Sequence, residues 1–233
     1  MSDADVTKLR VMGDLSGPLA ERVYTSVKTA IMELDFPPGA VIRKSAICDR
    51  FELSRSPVAD ALSKLSVEGL VEIVPQSGTR VSRLSMAAVR EDAFLREALE
   101  VAAARHAAQT RQDALLARLT RSIELQKRLA ANAVADEFMA TDIAFHETIM
   151  ATTGVSRLPG VVRTLSPNVD RARRLLMPEP GRMAGTVEEH SEIARAIERA
   201  DPEAAQDAMR RHVRQLLRRL EPLETARPDL FSK

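Results

Sequence analysis

The sequence contains no tryptophan, one tyrosine, six phenylalanines and a single cysteine among 233 residues. Aromatics at 3% leave too few π-faces for a protein that stacks single-stranded bases on aromatic platforms. One cysteine excludes a disulfide framework and any thiolate-rich zinc finger, and fits a reducing compartment. No stretch approaches the ~20 apolar residues of a membrane span. The opening Met1-Ser2-Asp3-Ala4-Asp5 lacks the basic start and apolar run of a signal peptide, so a cytoplasmic protein with no membrane partner is expected. Nor is there an excess of charge of one sign: 34 Lys+Arg stand against 33 Asp+Glu, and no global field advertises a polyanionic partner. What is present is a 45% hydrophobic content, ordinary for a chain that buries a core and too high for disorder.

Proline, glycine and β-branched residues concentrate before about residue 85. Beyond it the chain is rich in the strong helix formers Ala, Leu, Arg and Glu. The predicted fold is therefore mainly α: a small mixed domain over 1–84 and an all-helical one over 85–233. In the first, Leu19, Val23, Val27, Ala30, Ile31 and Leu34 recur at helical spacing from Pro18 to Leu34, and Phe36-Pro37-Pro38-Gly39 stops that helix. A short second helix holds Ala46, Ile47 and Phe51. A third opens at Ser54-Arg55-Ser56-Pro57, with a serine cap and a proline in its first turn. It buries Val58, Ala61, Leu62 and Leu65, and ends at Gly69 with Leu70 placed for the usual apolar contact. Val71-Glu72-Ile73 alternates as a strand, Pro75-Gln76-Ser77-Gly78 turns, and Thr79-Arg80-Val81-Ser82 returns. Three helices and a hairpin in about 70 residues is the plan of a winged helix-turn-helix. The second domain reads as a bundle of six helices at about 86–109, 112–132, 135–152, 155–176, 181–200 and 202–221.

These motifs, in this order, resemble the GntR family of bacterial transcription regulators: Phe36-Pro37-Pro38-Gly39, Ser54-Arg55-Ser56-Pro57-Val58 with Ala61-Leu62, Glu68-Gly69-Leu70-Val71 and Gly78-Thr79-Arg80-Val81. The resemblance covers residues 17–83 and implies binding to double-stranded operator DNA. The third helix would enter the major groove, where Arg55 forks onto a guanine or a phosphate. Ser54 and Ser56 would reach phosphates, aided by the positive end of the helix. Gly78 and Thr79 at the hairpin tip would approach the minor groove, and Arg43, Lys44 and Lys64 are further phosphate partners. The sequence departs from the family at Ala59, where many members carry a second arginine, and at Ser45, where they often carry a basic residue. Residues 1–84 hold 11 Lys+Arg and 11 Asp+Glu, so a shallow salt dependence is expected.

All four histidines lie in the helical part. Asp142 and His146 are four apart and stack on one helix face with Phe138, Phe145 and Ile149. His190 shares its face with Val187, Ala194 and Ile197, and His212 with Ala205, Ala208 and Leu216. Ionisable groups on apolar faces need partners or a metal. Three imidazoles and a carboxylate suit Zn²⁺, Ni²⁺ or another divalent transition ion with one or two positions open, and the alternative is a set of hydrogen-bonded core histidines. His106 reads as a packed or dimer-facing residue rather than a ligand.

Asp142-x-x-x-His146, Glu189-His190 with Ile193 and Ala196-Ile197, Met209-Arg210-Arg211-His212 and Arg96-x-x-Leu99-Glu100 with Ala103 are similar to the FCD effector domain of the FadR-type branch of that family, over residues 86–221. The resemblance implies a divalent metal held by Asp142, His146, His190 and His212, with a small organic acid bound by the metal and nearby arginines. Arg96, Asn168 and Arg173 flank the inward stripes and are the effector-binding candidates. A homodimer is expected, because a two-fold pair of winged helices reads a palindromic operator. The rival readings are a metal-dependent hydrolase and a DNA binder whose metal is purely structural.

Overall fold

A computed structural model describes residues 3–74, 78–165 and 167–232. The chain divides into two compact units, Met1–Met86 with Glu224–Lys233, and Ala87–Leu223. Each has its own apolar core.

In the first unit, α1 (Leu19–Met32) buries Val23, Val27, Ala30 and Ile31 along one face. β1 (Val41–Ile42) and α2 (Lys44–Phe51) follow. Then comes α3 (Arg55–Val67), which buries Val58, Ala61, Leu62 and Leu65 against the same core. Ser54 is its N-cap residue, but the hydroxyl makes no capping hydrogen bond, contrary to the serine-cap expectation. The other end is as expected. Gly69 takes φ +71°, its N–H donates to Ser66 O at 3.0 Å, the Leu70 N–H donates to Leu65 O at 3.0 Å, and Leu70 is buried. Both last-turn carbonyls are satisfied by a residue that only glycine accommodates without strain.

β2 (Val71–Val74) and β3 (Gly78–Val81) form the expected antiparallel hairpin, in register from Val71↔Val81 to Val74↔Gly78. Of the expected turn, Pro75, Gln76 and Ser77 lie outside the described residues. The sheet has a third strand that the sequence reading did not include. β1 pairs with β3, giving the order β1-β3-β2. A two-residue strand carries too little alternation to register in the sequence. Its presence changes Thr79, which now sits in a central strand opposite both Ile42 and Ile73.

The second unit is helical: α4 (Met86–Thr110), α5 (Asp113–Ala131), α6 (Ala135–Ala151), α7 (Leu158–Thr164), α8 (Pro167–Leu176), α9 (Arg182–Glu198) and α10 (Pro202–Ala226). The single helix expected over 155–176 is in fact α7 and α8. Pro167 has no N–H to continue α7 and opens α8 instead, where a missing donor costs nothing.

The division at 84/85 also needs a correction at the far end of the chain. Residues 224–233 belong to the first unit rather than to the helical one. The Leu84 N–H donates to Leu230 O at 3.0 Å, and the Ser232 N–H donates to Leu84 O at 2.9 Å. Arg83 Nε donates to Asp229 O at 2.9 Å, and Leu84, Leu230 and Phe231 are all buried. Truncation after Arg227 removes two buried apolar side chains and is expected to destabilise the first unit by about 2–4 kcal/mol. Hydrogen exchange read separately in α1 and α9 checks it: faster exchange is expected in α1 and unchanged exchange in α9.

Candidate metal centre and DNA-reading surface

Asp142 and His146 come from α6, His190 from α9 and His212 from α10, and all four are buried. One ligand atom from each lies within 4.8 Å of the others. His190 Nε2 is 3.6 Å from Asp142 Oδ1, and His146 Nε2 is 3.9 Å from Asp142 Oδ2. His212 Nε2 is 3.1 Å from His146 Nε2. The faces of three helices that the heptad-like spacing pointed inward therefore converge on one point.

The other nitrogen of every imidazole is held from outside. His190 Nδ1 lies 2.7 Å from Gln126 Oε1, while Gln126 Nε2 donates to Thr141 O. The amide is thus oriented with its oxygen toward the ring, and His190 carries its proton on Nδ1. His212 Nδ1 lies 2.7 Å from Glu189 Oε2, and His146 Nδ1 lies 2.6 Å from Glu100 Oε2. Burial disfavours the Glu100 carboxylate, yet Arg96 and His146 hold it well below the usual carboxylate range, and Arg96 Nε donates to it at 2.6 Å. Glu189 is likewise lowered against its burial by His212 and Arg182. Both are ionised acceptors, so their histidines also keep the proton on Nδ1. Phe145 stacks on the His190 ring at 4.0 Å and 9°, fixing its plane.

The consequence decides whether these residues fit a metal. Three Nε2 lone pairs and a carboxylate point at one another. Two of those nitrogens stand 3.1 Å apart with no proton between them to share. Buried His190 Nε2 accepts no hydrogen bond among the described residues, and the buried Asp142 carboxylate meets the Arg173 guanidinium on one side while its other oxygen faces the imidazoles. Burial, with His212 and His146 adding to it, pushes His190 well below its ordinary pKa; burial brings His212 down to about 4 despite Glu189. His190 and His212 are therefore neutral at physiological pH, the state a metal requires. A divalent cation satisfies this set, and a ring of core hydrogen bonds does not.

Of the effector candidates, Arg96 and Arg173 are brought to this centre and Asn168 is not. Arg173 is buried and ion-paired with Asp142; burial, then the neighbouring Arg96, lowers it to about 9, still charged at pH 7. Asn168 donates instead to Asp92 at 3.1 Å. A cavity of about 260 Å³ opens beside His146, with Arg96 and Arg173 in its wall. His106 lies apart from the ligands, its Nε2 3.1 Å from Thr152 O. The sequence reading missed Glu100, Gln126 and Glu189 as supports. Gln126 carried a signal, since it continues the buried Leu119–Ile123 stripe of α5 with a polar residue.

On the first unit, Arg43, Lys44, Ser45, Arg55, Gly78 and Thr79 line one open concavity of about 680 Å³. Arg55, Ser54 and Ser56 are exposed at the start of α3, and Lys44 at the start of α2. Two expectations change. Thr79, in the central strand, is only 1% exposed and is not the open tip residue expected. Lys64 lies outside the concavity, with its ammonium 3.0 Å from Glu21 and 3.8 Å from the centre of the Tyr24 ring. Arg43 pairs with Asp3 at 2.7 Å.

Comparison with known proteins identifies both parts of the chain. Residues 19–81 match the family described as bacterial regulatory proteins, gntR family, and residues 93–215 match the FCD domain. The chain belongs to the GntR family. Its arrangement is the FadR-type one, a helix-turn-helix domain followed by an FCD domain. It is 32% identical over 216 residues to an HTH-type transcriptional regulator in an unstable DNA locus of Streptomyces ambofaciens, covering 90% of this chain and 88% of that one. It is 27% identical to the HTH-type transcriptional repressor RspR of Escherichia coli (strain K12), covering 93% and 95%. A putative transcriptional regulator GntR from Rhodococcus sp. RHA1 shares the fold at a TM-score of 0.73 and 20% identity, over 87% of this chain and 97% of that one. Family and relatives are DNA-binding transcription regulators, which sets aside the hydrolase reading. Among the described residues no helix is long and apolar enough to cross a membrane.

Removing a support that fixes a ligand's tautomer typically costs about 10- to 100-fold in metal affinity. Gln126→Leu in this GntR-family chain is expected to weaken Zn²⁺ binding by that factor, measured by competition with a chromophoric chelator, whereas His106→Ala is expected to leave it unchanged.

Proposed function

We propose that this chain is a cytoplasmic repressor whose operator binding is governed by a small organic acid at a Zn²⁺ or Ni²⁺ centre held by Asp142, His146, His190 and His212. The observation that carries this is the set of three Nε2 atoms and one carboxylate with no proton to share, beside a cavity walled by two buried arginines. The bound ion supplies a Lewis-acidic anchor for a carboxylate oxygen. Arg96 and Arg173 lend the planar, multi-donor geometry that clamps the same group. His146 and His190 keep their rings in place through Glu100, Gln126 and Phe145, so the ligand meets a preorganised site rather than ordering one.

The DNA-reading residues proposed are Arg55, Ser54 and Ser56 at the start of α3, with Arg43, Lys44 and Gly78 around the same concavity; Thr79, buried, is not among them. Lys64, engaged by Glu21, is a weaker candidate. Regulators of this family bind operator DNA, and dimerisation is typical of them. A homodimer on a palindromic operator follows for this chain. Phe94 on α4, 73% exposed, is the kind of apolar anchor that a subunit contact buries.

Coupling between acid and operator is expected at about 1–3 kcal/mol, a 5- to 150-fold change in operator affinity. Fluorescence anisotropy with labelled operator, run on metal-free, Zn²⁺-loaded and acid-saturated protein, measures it. An affinity that stays the same under every condition would overturn the regulatory reading. Arg55→Ala is expected to abolish specific binding with the fold intact. His190→Ala is expected to lose metal and acid response while metal-free operator affinity is kept. Normal metal content in that variant would remove His190 from the ligand set.

A further inference from the structure

The cavity beside the metal centre is small and its own charges are already matched. At about 260 Å³ it lies below the ~300–1,000 Å³ of typical ligand sites, so it admits only a handful of non-hydrogen atoms. Part of its wall is apolar, formed by Ile143, Met150, Pro159 and Val162. The charged groups in that wall are Arg96, Arg163 and Arg173 against Glu100, Glu147 and Asp170, three of each sign. Each arginine has its acid. Arg96 pairs with Glu100 at 2.6 Å and Arg163 pairs with Glu147. Arg173 is shared between two acids: one terminal nitrogen contacts Asp142, and the other lies 3.6 Å from Asp170 Oδ1.

We propose that the acid taken here is a short aliphatic monocarboxylate, and that Asp170 is the specificity-determining residue that turns dicarboxylates away. The inference rests on the acid-effector reading above and adds the ligand's charge. The balanced wall, a divalent cation and the single charge of Asp142 leave one unit of positive charge. One carboxylate neutralises it. A second would place an uncompensated negative charge against the buried inner wall formed by Arg96, Glu100 and Arg173, which is costly. A second carboxylate approaching Arg173, the arginine closest to the ligands, meets the Asp170 carboxylate, which stands 3.6 Å from one of its terminal nitrogens while Asp142 takes the other. At pH 8 Asp170, pushed up to about 6 by burial, is ionised and holds that position.

The test is isothermal titration of the Zn²⁺-loaded full-length chain at pH 8 with acids paired by carbon number: propionate against malonate, and butyrate against succinate. Metal-free protein serves as the control. The monocarboxylate of each pair is expected to bind at least ~10-fold tighter. Asp170→Asn removes the negative charge beside Arg173; it is expected to bring malonate and succinate to the level of the monocarboxylates or beyond, with zinc content unchanged. Asp170→Ser is a second variant that makes the same charge change should the asparagine variant fold poorly. Dicarboxylates that bind the native protein as tightly as monocarboxylates would overturn this inference and leave the acid-effector reading standing. Binding of neither kind to zinc-loaded protein would overturn that reading, and this inference with it. An unchanged preference in both variants would remove Asp170 from the role.

Discussion

A buried imidazole nitrogen must either share a proton or face a cation, and in this protein three of them are denied the first option together. Glu100, Gln126 and Glu189 fix the protons of His146, His190 and His212 on the outer nitrogens. The inner nitrogens then have only lone pairs to present to Asp142 and to one another. Nothing about that arrangement favours a bundle core by itself, because packing lone pairs against lone pairs costs free energy. It becomes stable when a cation is bound, so the core of the second unit is built around an electrostatic demand rather than around apolar contacts alone. The supports come from α4, α5 and α9, and the ligands from α6, α9 and α10. A cation bound at this point would tie together five helices, α4, α5, α6, α9 and α10.

Much of this was legible beforehand, for identifiable reasons. Helical periodicity put Asp142 and His146 on one face, and the same rule turned His190 and His212 inward; each conclusion needed only a spacing within one helix. The Gly69-Leu70 stop was equally local. What the sequence did not disclose depends on contacts between distant segments. Glu100 lies on the helix read as the opening one and gave no sign of meeting His146, 46 positions on. Thr79 was assigned to an exposed tip because β1, two residues long, left no pattern. The split at Pro167 is the exception: the proline was visible, and a helix drawn straight through it ignored a local rule. Arg173 was as open to a solvated reading as to a functional one. Its burial against Asp142 comes from α8, whose start that same proline sets.

The first unit shows how DNA binding is compatible with a neutral domain. Its 13 basic and 13 acidic residues do not mix evenly. Lys64 and Lys28 are drawn onto Glu21, Glu68 and the Tyr24 ring, away from the concavity. Arg55, Lys44 and Arg43 remain around it, and among the described residues only Arg43 has an acidic partner there, in Asp3. Net charge sets long-range attraction, whereas the local distribution sets where a backbone of phosphates can lie. A domain of this kind relies on fitted contacts more than on counterion release, which is the physical meaning of a shallow salt dependence.

The path of α10 gives the metal ligand an unusual covalent context. The helix carries His212 and continues to Ala226, so His212 and the start of the segment grouped with the first unit belong to one helix. Pro222 lies inside it, one residue before the division at Leu223. Its ring removes one main-chain hydrogen bond and makes that turn the easiest place for the helix to bend. Beyond it, the Leu84–Phe231 bridge and the buried Leu230 and Phe231 anchor the chain end. The chain thus passes between its two units twice, once after Met86 and once near Pro222. The helix that carries His212 is therefore continuous with the second of these crossings, and that continuity follows from connectivity alone.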